Sequence, residues 1–216
     1  MTYFRELPDL DYQSPLSDRL SSDDYVRVKN VFRRAKLRDD LKNVTTIFQK
    51  YEISDGARPD TVANELYNNP GYDWIVLTIA GITNVRDQWP LSSEQLYQYS
   101  IEKYGEQYLT SIHHYETTEV KDSKGRLLMP AGKVVDSNFS IRNPESPAET
   151  IYPVTGVTNY EYETKLNEDK RLIFVLQQRY IQTFINDTRR IMTYGKSSQY
   201  VNDKLIKTEN TRNTIV

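Results

Sequence analysis

The stretch Tyr72-Asp73-Trp74-Ile75-Val76-Leu77-Thr78-Ile79-Ala80 constrains this fold more than any other. Read as a helix it is almost wholly apolar, with Trp74, Ile75, Val76, Leu77 and Ile79 spread around its circumference. Such a helix has no face to give to water, so the rest of the chain must enclose it. Gly81 ends it. Just before it, Asp60 can cap a short helix over residues 61–67, where Val62 and Leu66, and Ala63 and Tyr67, repeat at helical spacing. Asn68-Asn69-Pro70-Gly71 stops that helix. The β-branched and aromatic run at 43–53 predicts a strand, with a turn at Asp55-Gly56. Gln88-Trp89-Pro90-Leu91 reads as a short extended segment. Ser92 or Ser93 then caps a third helix to about Tyr104, closed by Gly105.

Outside residues 58–105 the pattern is less regular. Residues 1–23 contain Pro8, Pro15 and Ser21-Ser22 without a sustained period, and predict an extended arm. Residues 24–40 interleave Arg27, Lys29, Arg33, Arg34, Lys36 and Arg38 with apolar positions, and fit helix or strand. Residues 108–121 form the first arm of a hairpin, Asp122-Ser123-Lys124-Gly125 its turn and 126–129 its return. Residues 130–160 carry no period longer than a strand. Tyr160, Tyr162 and Thr164 alternate with charges as a half-buried strand would. Residues 167–194 read as one long helix with a stripe of Leu172, Ile173, Leu176, Tyr180, Phe184, Ile191 and Met192. Past Gly195 the polar tail, 195–216, cannot bury enough surface to order itself. The expected class is α+β: a strand–helix–helix–strand module with a flanking helix at 24–107, a hairpin and loop-rich region at 108–166, the long helix, and terminal arms.

The chain has 216 residues, of which 38% are hydrophobic and 27% charged. That apolar share is low for a globular chain. Either much of it is extended surface, or partners complete its apolar positions. Seventeen tyrosines against six phenylalanines favour surfaces that are exposed before assembly and buried after it. The net charge of −2 provides no general attraction for nucleic acid or anionic lipid. No stretch has the length of a signal-peptide core or a membrane span, so neither export by a cleaved signal nor membrane insertion is expected.

The residue inventory argues against catalysis. There is no cysteine, which excludes disulfides and thiolate chemistry. His113 and His114 are adjacent, and on a regular strand neighbours point to opposite faces and cannot converge. No phosphate loop, dinucleotide fingerprint or metalloprotease pattern occurs. Asp39-Asp40 and Glu161/Glu163 fit solvated charges better than a catalytic pair. The basic cluster 27–38 fits an exposed or interfacial charged face. No catalytic, metal or cofactor-binding residue is assigned, and no cofactor is expected.

The run Arg58-Pro59-Asp60-Thr61-Val62-Ala63-Asn64-Glu65-Leu66-Tyr67-Asn68-Asn69-Pro70, with Tyr72, Trp74, the apolar helix, Asn84, Trp89-Pro90-Leu91-Ser92 and Lys103-Tyr104-Gly105, resembles one family. It is similar to the gene 53-type baseplate wedge proteins of T-even-like contractile-tailed phages. The resemblance implies a LysM-like unit with strands near 50–53 and 88–91 and helices at 60–68 and 72–80. It implies a structural role in the tail baseplate of a virion assembled in the host cytoplasm, without catalysis or cofactor. Implied partners are wedge core subunits, a lysozyme-like wedge subunit and hub-proximal proteins. The module core is then Tyr67, Trp74, Ile75, Leu77 and Ile79. Candidate partner contacts are Tyr72, Trp89, Pro90, Tyr97, Tyr180, Phe184 and Tyr200. For Trp89-Pro90 two readings stand, a packing lid or an exposed anchor. A LysM-like unit also admits a glycan-binding alternative, in which the 81–88 loop offers Thr83, Asn84, Arg86 and Asp87 to peptidoglycan. In the assembly reading, both arms order only on neighbouring subunits.

Overall fold

A computed structural model of the chain describes residues 3–14, 25–36, 46–146 and 148–208. The chain begins with α1 (Tyr3–Glu6), β1 (Asp9–Gln13), β2 (Tyr25–Lys29) and β3 (Phe48–Glu52). Next come α2 (Pro59–Tyr67), α3 (Asp73–Ala80), the single turn α4 (Val85–Gln88) and α5 (Ser93–Tyr104). Seven strands follow: β4 (Ile112–Thr117), β5 (Val120–Lys121), β6 (Leu127–Met129), β7 (Val134–Val135), β8 (Ile141–Arg142), β9 (Thr150–Ile151) and β10 (Val154–Thr158). The chain then runs through α6 (Asn159–Asp169), β11 (Leu172–Leu176), α7 (Ile181–Met192), β12 (Tyr200–Asn202) and β13 (Leu205–Lys207). Mixed helices and small sheets make it an α+β protein. It divides into two compact units: unit 1 is Met1–Ile53, Ala57–Trp89 and Leu172–Val216, and unit 2 is Ser54–Gly56 with Pro90–Arg171.

Unit 1 encloses the apolar helix as the sequence requires. In α3, Trp74, Ile75, Val76 and Ile79 are buried, and the Gly81 backbone turns left-handed to end the helix. Val62, Ala63 and Tyr67 of α2 cover it, with Phe48, Ile53, Ile173, Val175, Leu176, Ile181 and Ile185. Leu77, expected in the core, is only half-buried.

The expected helix over 167–194 is corrected. Residues 172–176 are a strand that pairs antiparallel with β3, Leu172 opposite Glu52 through Leu176 opposite Phe48. Helical spacing groups Leu172, Ile173 and Leu176. Burial instead alternates, with Leu172 and Phe174 exposed and Ile173 and Val175 enclosed. β3 needs a neighbour to satisfy its ladder, and residues 172–176 supply it. The segment 88–91, expected to close this sheet, ends one helical turn and then runs extended without pairing. Of the expected helix, residues 167–169 at the end of α6 and the whole of α7 are helical.

Both arms are corrected as well. In the first, Leu7 and Pro8 are buried and β1 is an inner strand of the four-stranded sheet β12-β13-β1-β2. β13, from the expected tail, pairs parallel with β1, Asp9 opposite Leu205. Glu6 on α1 accepts both Nε–H and Nη2–H of Arg189 on α7, at 2.6 and 3.0 Å. Paired backbone and a bidentate ion pair tie the described parts of these ends to the rest of unit 1. The remaining arm positions, 1–2, 15–23 and 209–216, lie outside the described residues.

Half of the basic cluster at 27–38 is engaged by contacts within unit 1, and Arg38 lies outside the described residues. Arg27 pairs with Asp11 at 2.9 Å and Lys29 with Asp9 at 2.8 Å across β1–β2. Arg33 Nη2 donates to the carbonyls of Ile191 and Thr193 at 3.1 and 2.8 Å, where the α7 C-terminus leaves acceptors free.

Unit 2 is built differently. Its sheet β10-β4-β7 and its two small hairpins enclose few apolar side chains: prolines aside, only Leu96 and Leu109 among its described residues are buried. Ser100, Thr117, Asn159, Glu163 and Asn167 are buried instead. The strand expected at 160–164 is corrected to α6. Thr158 and Glu161 form a reciprocal capping box that starts the helix, and Asn159, Glu163 and Asn167 recur on one buried side at helical spacing. Ser92 and Gln95 start α5 in the same way.

Candidate partner interface

An interface draws on exposed apolar and aromatic side chains and on the polar groups that hold them in position. Of the residues expected to meet partners, Trp89 and Pro90 are buried. Trp89 donates its indole N–H to the Ala57 carbonyl at 2.8 Å. The exposed-anchor reading of this pair gives way to packing, because the ring and its donor are both satisfied internally. Tyr72 is half-buried, its ring 6.4 Å from that of Tyr67. Phe184 is half-buried with its ring 5.9 Å from Trp74, and Tyr180 lies beneath the Arg179 guanidinium. Tyr200 donates its hydroxyl to Asp203 Oδ1 at 2.5 Å. Tyr97 is exposed, edge-on to Tyr160. Tyr97 and Pro90 belong to unit 2 and the others to unit 1.

The sequence reading missed the exposed apolar side chains of unit 2. Tyr99, Tyr108, Ile112, Leu127, Val134 and Tyr152 all stand in solvent. The excess of tyrosine was the one sequence signal for Tyr99, Tyr108 and Tyr152, and Ile112, Leu127 and Val134 carried none.

Three polar nodes fix unit 2. Asp55 accepts Nη2–H of Arg171 at 2.6 Å and the backbone N–H and hydroxyl of Ser93 at 3.1 Å each, which joins segments distant in sequence. The Arg171 guanidinium holds the Asp55 carboxyl below its ordinary range. Glu163 accepts Nζ–H of Lys103 at 2.7 Å and the hydroxyl of Tyr104 at 2.8 Å. Asn167 both donates to and accepts from the Leu91 backbone, at 3.0 and 2.8 Å.

The histidine expectation is corrected. His113 Nδ1 and His114 Nδ1 lie 2.9 Å apart, and the ring of Tyr162 stacks on His113 at 4.1 Å. Opposite β4, Val157 pairs with His114 and Thr158 with Ile112, so His113 is the extra residue of a β-bulge. A bulge interrupts the alternation of faces that keeps strand neighbours apart. His114 also meets Glu116, whose carboxyl is held below its ordinary range first by Lys165 and then by His114. Among the described residues no group of three or more His, Cys, Asp or Glu side chains is placed to hold a metal ion.

The 81–88 loop, the seat of the glycan alternative, uses its polar groups internally. Gln88 Oε1 accepts the N–H groups of Thr83 and Asn84 at 2.8 and 2.9 Å. Asn84 accepts from Arg86 N–H and donates to Asp87.

These apolar-rich surfaces on polar scaffolds lie partly within a stretch, residues 10–125, that matches the family described as base plate wedge protein 53. The chain belongs to this family. It is 29% identical over 163 residues to baseplate wedge protein gp53 of Enterobacteria phage T4, covering 71% of this chain and 76% of that protein. The protein is thus a structural component of the virion tail baseplate. The wedge-family match runs from β1 to the β5–β6 turn, and so takes in residues of both units. No helix among the described residues is long and apolar enough to cross a membrane.

Proposed function

We propose that this chain is a non-enzymatic clamp that joins wedge components, and neighbouring wedges, through protein–protein contacts during tail assembly. The observation that carries the reading is the imbalance in unit 2: two buried apolar side chains besides prolines, against at least six exposed ones. A unit of that kind gains most when a partner covers it. Tyr97 belongs to this surface, and Tyr72, Tyr180, Phe184 and Tyr200 offer further contacts on unit 1. Its partners are wedge core subunits, the lysozyme-like wedge subunit and hub-proximal proteins.

The LysM-like unit of this reading consists of β3, α2, α3 and β11, so its closing strand arrives only after the whole of residues 81–171. Use of the 81–88 polar groups within the loop favours clamping over glycan binding. The test is affinity capture from infected-cell lysate with the full-length chain, alongside a variant carrying Tyr97→Ala, Tyr99→Ala and Tyr152→Ala. Recovery of baseplate wedge proteins by the first and their depletion with the second is the expected result. Co-sedimentation with cell-wall fragments, without any wedge protein, would overturn it.

A further inference from the structure

His113 and His114 are the only histidines of the chain, and both sit at the bulge of β4. Their Nδ1 atoms lie 2.9 Å apart. The bulge brings this about, since on a regular strand the two rings would leave on opposite faces. Where their protons sit follows from the surroundings. Lys165 Nζ lies 2.8 and 3.1 Å from the two Glu116 oxygens and holds that carboxyl below its ordinary range. An ionised carboxylate can only accept, so His114 donates to it from Nε2 at 3.1 Å. A neutral His114 then carries its lone pair at Nδ1, and His113 donates to that from its own Nδ1. An imidazole that gives one N–H to a carboxylate and keeps a lone pair on the other nitrogen has the arrangement of a metal-ligating histidine. The ring of Tyr162, stacked on His113 at 4.1 Å, fixes the second imidazole. His113 is exposed and His114 half-buried, so an ion can reach the pair from solvent.

We propose that the two Nδ1 atoms form a chelate for one divalent copper or nickel ion. Their separation selects the metal. Two nitrogens about 2.05 Å from an ion and 2.9 Å from each other subtend about 90° at it. That is the cis angle of square-planar and octahedral sites, which suit Cu²⁺ and Ni²⁺. A tetrahedral Zn²⁺ would need the nitrogens about 3.3 Å apart. Among the described residues no third His, Asp or Glu joins them as a ligand, so water fills the remaining positions. As the ion enters, the His113 proton moves from Nδ1 to Nε2, and two neutral imidazoles bind without net proton release. Glu116 and Lys165 orient His114 and do not touch the metal. This goes beyond the clamp reading and does not depend on it.

The experiment uses the full-length chain without a polyhistidine tag, stripped of metal by dialysis against EDTA. Calorimetric titration with CuSO₄ should show one Cu²⁺ bound per chain, roughly tenfold or more tighter than Zn²⁺ from ZnSO₄. The electron paramagnetic resonance spectrum of the copper form should be tetragonal, with hyperfine coupling from two imidazole nitrogens. His113→Ala and His114→Ala should each remove the two-nitrogen signature. Glu116→Gln should weaken Cu²⁺ binding by roughly tenfold or more at unchanged stoichiometry. Because the spectrum counts nitrogens in the wild-type chain, the test holds even where a variant folds poorly. The proposal is overturned if copper binds without a defined stoichiometry, if the spectrum shows fewer than two nitrogens, or if Zn²⁺ binds as tightly as Cu²⁺. Retention of the site in the double variant His113→Ala with His114→Ala would overturn it too. Capture of wedge proteins is a separate readout, so a failed metal titration leaves the clamp standing.

Discussion

Tyr67 and Glu163 are the two buried polar side chains whose removal tests each unit at the level of a single group. Tyr67 donates its hydroxyl to the Leu176 carbonyl at 2.8 Å, tying α2 to β11. Burial pushes this hydroxyl from 10.0 up to about 12. Because the folded state holds the proton more tightly, this contribution to stability is intact below pH 10 and is lost as pH rises through about 12. Tyr67→Phe should therefore cost about 1 kcal/mol at neutral pH. Its deficit against wild type should shrink between pH 10 and about 12, which paired urea denaturations would measure. A deficit that stayed constant across that window would refute the assignment. In unit 2, Glu163→Ala leaves Tyr104 and Lys103 without their acceptor and should destabilise by about 2 kcal/mol, most of it from the buried end of the network because Lys103 is partly solvated. Glu163→Gln should recover part of that loss in the same denaturation experiment.

At the scale of elements, the pair β3–β11 and the helix α6 replaced what helical spacing and alternation suggested. On a strand Phe174 and Val175 face opposite ways, and they are 55% and 0% exposed. Val175→Ala should cost about 2 kcal/mol through lost burial and the space left behind. Phe174→Ala should stay within about 0.5 kcal/mol, as exposed substitutions do. Equal losses at the two positions would contradict the strand. For α6, Thr158→Ala removes the side-chain oxygen that accepts Glu161 N–H, and should lower stability by about 1 kcal/mol. A helical circular-dichroism signal that weakens in this variant would locate the loss at the helix start.

At the scale of the whole molecule, apolar burial is divided unequally between the units. Hydrogen exchange on the free chain should show α3 and β11 of unit 1 as the slowest amides, and the strands β4 and β10 as faster. In the assembled wedge the proposed clamp requires β4 and β10 to slow, as partners would cover the side chains around them. Equal protection of both units in the free chain would remove the main support for the clamp. Limited proteolysis offers a second check. Residues 9–13 and 205–207 should resist cleavage as long as α3 does, because they are paired strands of one sheet.

Residues 58–105 declared themselves in the sequence because their signals are local. The caps at Ser92 and Gly81, the stop at Asn68 and the spacing of Val62, Ala63 and Tyr67 each act within a turn or two of chain. The apolar character of α3 likewise required burial wherever the chain placed it, and the family resemblance carried by those residues pointed to the baseplate. What tertiary structure decided was every choice in which a segment answered to a distant one. Residues 172–176 became a strand because β3 lacked a ladder partner more than a hundred residues upstream. The two ends of the chain became neighbours because β1 could pair with β13. His113 met His114 because a bulge against β10 broke the alternation. Periodicity records which face of an element is apolar. Only the folded chain determines what that face, and each backbone edge, will find opposite it.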